Sequence, residues 1–215
     1  MQQNIKVNVI EQTNIIHVKN VIAQETREAL VAKVLAFKDT HLATEGTNPN
    51  CWRGSPHIHP ESDRGFDDET NILLRNIIAD SKQLFIDTQQ RPYKFANVPH
   101  VADRYDQENV LLHAWFNVNG QGGANVMHTH TGNFMSGVLY LQGTGTGEIE
   151  FYTQNYLYNI EHPCSPYYGT ARYQPEDGDL LLFPSHLAHH VAPNPSTRER
   201  INMAFNVEYP FRSKE

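Results

Sequence analysis

The spacing of apolar residues changes character near residue 110. Before it, two stretches place apolar side chains every three to four positions. In QETREALVAKVLAFK, residues 24–38, Leu30, Val31, Val34 and Leu35 fall on one helical face. Residues 68–88 carry Leu73, Leu74, Ile77, Ile78, Leu84 and Phe85 as a second stripe, with Asp67 or Asp68 to cap its start. Residues 39–66 are polar and broken by Gly and Pro, and read as a long loop. Residues 91–109 read as irregular. After 110, short apolar runs alternate with clusters of Gly, Asn, Pro and Asp. They predict strands at 110–118, 124–130, 134–142, 147–153, 156–160, 178–184, 187–192 and 200–209. Such a succession suggests an antiparallel sandwich or barrel of the jelly-roll kind. The expected fold is mainly β with flanking helices. Residues 1–109 form a helical and loop support, 110–215 form the core, and the whole is one compact domain.

The last strand carries a further signal. In RINMAFN, Ile201, Met203 and Phe205 face one way and should pack outward against covering elements. Arg200, Asn202, Ala204 and Asn206 face the other way and should line a cavity. A polar inner face in a small barrel is costly unless it binds something.

The chain has 215 residues and 12 histidines, and the histidines cluster at 57/59, 128/130 and 186/189/190. In NVMHTHTGNFMSGVLYL, residues 125–141, His128 and His130 open an apolar run. Residues i and i+2 of a strand share a face, so these two imidazoles can converge on a metal ion. GDLLLFPSHLAHHVAPN, residues 178–194, offers a third ligand from His186, His189 or His190. A second H-x-H, His57 and His59 with Asp63 nearby, sits between prolines and reads as polar loop.

The formal net charge of −7 argues against a nucleic-acid surface built on bulk positive charge. No apolar run approaches the roughly 20 residues of a membrane helix. The first residues, MQQNIKVNVIEQ, lack the pattern of a secretory signal. Cys51 and Cys164 are too few for a disulfide scaffold. A cytoplasmic protein with reduced thiols is the expectation, and a homo-oligomer is compatible with everything above.

The ordered phrases W115-x-N117, H128-x-H130, S136-G-V-L-Y140-L, F183-P-S and H189-H-V-A-P, then R200-I-N-M-A-F-N206, resemble the Fe(II)/2-oxoglutarate-dependent dioxygenases. They are similar in particular to a microbial branch with an HxH…H…R pattern, and they cover about residues 113–207. The resemblance implies a double-stranded β-helix and a chemistry that uses Fe(II), 2-oxoglutarate and O2, most simply a hydroxylation releasing succinate and CO2. It implies that His128, His130 and His189 hold the metal and that no catalytic residue is needed beyond that site. Arg200 would receive the distal carboxylate of 2-oxoglutarate, helped by Tyr140, with Asn117 and Asn206 as further contacts to the cosubstrate. Trp52 and Arg53 would touch substrate if their loop folds over the barrel mouth. The substrate itself, a protein side chain or a small metabolite, is not legible.

His130 departs from that family, which usually has Asp or Glu as its second ligand. Three readings stay open: a three-histidine centre, a carboxylate arriving from Asp177, Asp179 or Glu148, or a site that has lost iron. Two rival functions stay open as well. A cupin is also a jelly roll that can hold a metal with three histidines. Gly122, His128-x-His130, Gly178, Pro184 and His189 fit parts of its motifs, but Phe134 and Met135 stand where its glutamate belongs, and a cupin has no use for Arg200. A non-catalytic module would instead close its histidines around a structural, four-coordinate zinc.

Overall fold

The computed structural model describes residues 13–44, 48–58, 65–88, 112–152 and 170–208. Among these residues, ten strands and two helices follow one another along the chain. They are β1 (Ile16–Val18), α1 (Gln24–Thr40), β2 (Cys51–Gly54), α2 (Asp68–Thr88), β3 (Leu112–Asn119), β4 (Asn125–His128), β5 (Asn133–Gln142), β6 (Ile149–Tyr152), β7 (Thr170–Tyr173), β8 (Leu180–Pro184), β9 (Ala188–Val191) and β10 (Arg200–Glu208). One sheet has six strands in the order β1-β8-β5-β10-β3-β2, and the other has four in the order β4-β9-β6-β7. Every pairing is antiparallel. This is a jelly-roll architecture, mainly β with flanking helices.

The helices cover the outer face of the six-stranded sheet. Leu30 and Val34 of α1 and Leu74, Ile78 and Phe85 of α2 share one apolar cluster with Ile201, Met203, Phe205 and Val207 of β10. Asp67 caps α2, accepting the Thr70 backbone N–H at 3.0 Å. The alternation expected of β10 is realised. Its odd residues meet the helices, while Asn202, Ala204 and Asn206 line a cavity on the inner face. In β8, Leu180 and Leu182 belong to the outer cluster, whereas Leu181 and Phe183 join Tyr140, Ile149, Phe151 and Leu187 in a second cluster on the inner side. The pleat of one sheet therefore divides two cores.

The N-terminal half contributes more than helices. Within the stretch read as a long loop, Cys51–Gly54 forms β2 and pairs with β3, Arg53 lying opposite Asn117. β1 pairs with β8 at the far edge of the same sheet. β7 was not anticipated, because TARY is too short and too polar to show a period. The strand expected at 156–160 and the irregular stretch 91–109 lie outside the described residues, as do His59, Asp63 and Cys164. Among the described residues, no helix is long and apolar enough to cross a membrane.

Phe205 is fully buried, and its ring lies over Gly137 of the neighbouring strand, where a Cβ would sit 2.2 Å from it. Phe205→Ala should cost about 3–5 kcal/mol, read as a lower denaturant midpoint at unchanged slope.

Candidate metal and cosubstrate site

Three imidazoles meet at the inner face of the small sheet. His128 ends β4 and stands directly opposite His189 of β9 in the antiparallel register. Their ring centroids are 4.3 Å apart. His130 lies just beyond the end of β4, where its backbone N–H donates to the Ser185 carbonyl at 2.8 Å. That bond turns the ring back toward the pair, with centroids 4.9 Å from His128 and 5.2 Å from His189. One potential ligand atom from each of the three histidines lies within 4.8 Å of the others.

The tautomers of two rings follow from their partners. His128 Nδ1–H donates to the Val126 carbonyl at 2.7 Å, and His189 Nδ1–H donates to the Leu187 carbonyl at 2.9 Å. Both bonds reach back two residues along the chain, so each Nε2 keeps its lone pair for a metal. Burial, reinforced by the neighbouring imidazole of His128 and then by Arg53, lowers the pKa of His130 to about 4. Burial, again with His128, lowers that of His189 to about 3, against the opposing pull of its bond to Leu187. Both are neutral near pH 7, the form that ligates.

The adjacent histidines do not join the group. His190 points the other way and pairs with the Tyr152 hydroxyl at 3.1 Å. His186 is exposed in the turn before β9. The carboxylates considered as an alternative second ligand are engaged elsewhere. Asp177 binds Arg198 at 2.7 Å and Arg27 at 3.0 Å. Asp179 meets His17 at 2.8 Å, and Glu148 lies 3.9 Å from Arg172. Among the described residues no Asp or Glu lines the cavity, and no fourth His, Cys or acid joins the three histidines.

The histidines open into a cavity of about 870 Å³ between the two sheets, within the ordinary range for a small-molecule site. Asn117 and Asn206 line it. Asn117 Nδ2 donates to Asn202 Oδ1 at 2.9 Å, and Asn206 Oδ1 accepts the Ser136 hydroxyl at 2.7 Å. Tyr140 also faces the cavity. Burial pushes its phenol well above the usual range, so it keeps its proton and can donate a hydrogen bond.

Arg200 is fully buried and does not itself line the cavity. Its Nη1 donates to the carbonyls of Thr146 and Ala192 at 2.7 and 3.2 Å, and Nη2 donates to that of Gly123 at 3.2 Å. Gly147, at φ +98°, leaves room for the guanidinium, since a Cβ there would lie 3.1 Å from Nη1. The Nε atom has no partner. Burial pulls the guanidinium pKa down, and the groups acting most strongly to hold its charge are the Tyr140 phenol and the Cys51 thiol, both lining the cavity. A buried arginine with a spare donor and no carboxylate beside it among the described residues lacks a counter-ion there. Its surroundings fit a small dicarboxylate admitted from the cavity.

Trp52 and Arg53 part company. Successive residues of β2 point to opposite faces. Arg53 lines the cavity and stacks over Trp115, its guanidinium carbon 4.5 Å from the ring centroid. Trp52 is turned to the outer cluster, with its indole N–H bonded to the His41 carbonyl at 3.1 Å. The expectation that Trp52 touches substrate is corrected accordingly. Asn202 lines the site, as the alternation of β10 predicts, and so does Trp115, which the sequence did not single out as a contact. Trp115 could have been found by alternation with Asn117.

Residues 113–206 match the model of a family described as putative 2OG-Fe(II) oxygenase. A comparison with curated proteins finds no match. The fold recurs among solved structures. A Pseudomonas putida prolyl-4-hydroxylase superposes with TM-score 0.58 at 16% identity, covering 94% of each chain. HygX from Streptomyces hygroscopicus, solved with nickel and 2-oxoglutarate, gives 0.56 at 10% identity, covering 94% of this chain and 85% of that one. SnoN, an α-ketoglutarate-dependent epimerase of nogalamycin biosynthesis, gives 0.58 at 9% identity, covering 94% and 82%. At such identities these likenesses establish a shared fold.

The two lowered histidine pKa values make the metal-free protein acid-sensitive. Unfolded, each imidazole titrates near the ordinary value of 6.5; folded, the values are about 4 and about 3. Below 6.5 the unfolded chain binds more protons, so stability is full above that pH and falls as pH drops toward the folded values. Melting curves of the metal-free protein between pH 7 and pH 4 should show this decline, and His189→Gln should show a shallower one.

Proposed function

We propose that this chain, whose 113–206 core is that of the 2OG-Fe(II) oxygenase superfamily, is an active Fe(II)- and 2-oxoglutarate-dependent dioxygenase that hydroxylates its substrate. The observation that carries this reading is the pairing of an open three-histidine cluster with a buried arginine that has no acidic partner among the described residues. When bound, iron and 2-oxoglutarate supply the oxidation: O2 is consumed, the cosubstrate leaves as succinate and CO2, and the second oxygen atom goes into a substrate C–H bond as hydroxyl.

The protein's own side chains do the rest. His128, His130 and His189 would hold the metal as neutral ligands and leave its remaining positions open. Their Nδ1 bonds to the Val126 and Leu187 carbonyls keep two of the three rings in register. Arg200 would take the distal carboxylate of 2-oxoglutarate, and the protonated Tyr140 would donate to the same group. Asn117 and Asn206 present polar atoms to the cosubstrate side of the cavity. The apolar inner cluster around Phe151 and Phe183 backs His189 and keeps water from that side of the metal.

The cupin reading offers no role for a buried Arg200 with an unpartnered Nε. The structural-zinc reading requires a fourth ligand, and none joins the cluster among the described residues.

Two variants test the assignment. Arg200→Ala should weaken 2-oxoglutarate binding by on the order of tenfold or more in calorimetry while metal binding persists, because charge-assisted bonds of about 1.5–3 kcal/mol are lost. Unchanged 2-oxoglutarate affinity would remove Arg200 from the site. His130→Asp, which restores the commoner ligand type, should retain Fe(II) binding. Complete loss of metal from a folded variant would mean that the geometry demands three imidazoles.

A further inference from the structure

One cation in the cavity has no task in the chemistry above. Arg53 enters from the edge strand β2, opposite Asn117, and its guanidinium lies over the Trp115 ring at 4.5 Å. Trp115 in turn sits 5.6 Å, ring to ring, from His130. Arg53 makes no hydrogen bond or ion pair among the described residues, and its Nε is buried without a partner. This cation–π contact holds the guanidinium over the ring without using any of its N–H donors in a hydrogen bond. Those donors face a cavity whose described lining holds no Asp or Glu. The protein as a whole carries a net charge of −7, so this bare cation is a local departure from an acidic surface.

The charge balance of the loaded site points the same way. Three neutral imidazoles leave the metal with its full charge, where the usual carboxylate ligand would cancel part of it. The two charges of 2-oxoglutarate divide between the metal and Arg200, so one charge of the metal and that of Arg53 stay uncompensated. A further anion beside the metal would reduce this excess, and Arg53 is the cation open to receive it.

We infer that Arg53, held over Trp115, is the anchor for a carboxylate carried by the substrate, so that the molecule to be oxidised is a small organic acid. The inference rests on the oxygenase reading for its meaning, but not for its test. The planar guanidinium can take a carboxylate through two parallel bonds, and the anchor is close enough to hold a neighbouring C–H near the histidines.

The test uses the full-length protein with Mn(II) as a redox-inert metal and saturating 2-oxoglutarate. Butyrate and its uncharged counterpart butyramide serve as probes, and tryptophan fluorescence and calorimetry as readouts. Trp115 lies under the anchor, so butyrate should give a saturable fluorescence change and butyramide none. Arg53→Gln should weaken butyrate binding about tenfold or more, and Arg53→Lys, which keeps the charge but not the fork, should fall between. Melting curves confirm that both variants are folded. Equal response to the two probes, no response to either, or unchanged butyrate binding in Arg53→Gln would overturn the proposal. Loss of 2-oxoglutarate binding in Arg53→Gln would also overturn it, by making Arg53 the cosubstrate anchor. Failure of the wild-type protein to bind 2-oxoglutarate at all would sink the oxygenase reading separately, whether or not butyrate binds.

Discussion

The period-two pleat of β10 is the constraint from which the site follows. This strand lies between β5 and β3 in the centre of the large sheet. One set of its side chains, Ile201, Met203, Phe205 and Val207, anchors the helices. The other set, Asn202, Ala204 and Asn206, can be polar or small only because it borders a cavity. A slip of one residue would bury the asparagines under α1 and α2 and expose the phenylalanine to the cavity. Stability and binding are thus written on opposite faces of the same nine residues.

Electrostatics gives the cavity its character. Burial keeps His130 and His189 neutral, and burial also strips Arg200 of water without supplying an acid among the described residues. Arginine does not surrender its proton in such a place; it waits for an anion. The carboxylates nearby in sequence are spent on structure, Asp177 in a double arginine pair and Asp179 against His17. The result is a pocket with metal-ligating nitrogens and cations and, among the described residues, no negative charge of its own. The charge of such a pocket suits acidic small molecules, in line with the carboxylate anchor proposed for Arg53.

Much of this was legible along the chain. Both helices show in their apolar period, and most strands of the core show as runs set between turn residues, even where, as in β4, β6 and β9, they have only four residues. β1, β2 and β7 are as short but carry no such signal, and their existence depends on an edge to pair with, which is a tertiary fact. The same limit separates the sites. His128 and His130 can be grouped from spacing alone, although His130 reaches the cluster through a turn rather than along a strand. The choice of His189 over His190 needs the register with His128, and the choice of Arg53 over Trp52 needs the register with β3. Arg200 stands where the family pattern expects it, yet its contacts with three backbone carbonyls and its free Nε come from loops that no local pattern predicts.

The central claim is that the three histidines hold an open metal beside a 2-oxoglutarate pocket. The most direct measurement is an anaerobic titration of the Fe(II)-loaded protein with 2-oxoglutarate, followed by visible absorption. The account predicts a charge-transfer band that grows and saturates as the cosubstrate chelates the iron. Iron held firmly with no band at any 2-oxoglutarate concentration would contradict it.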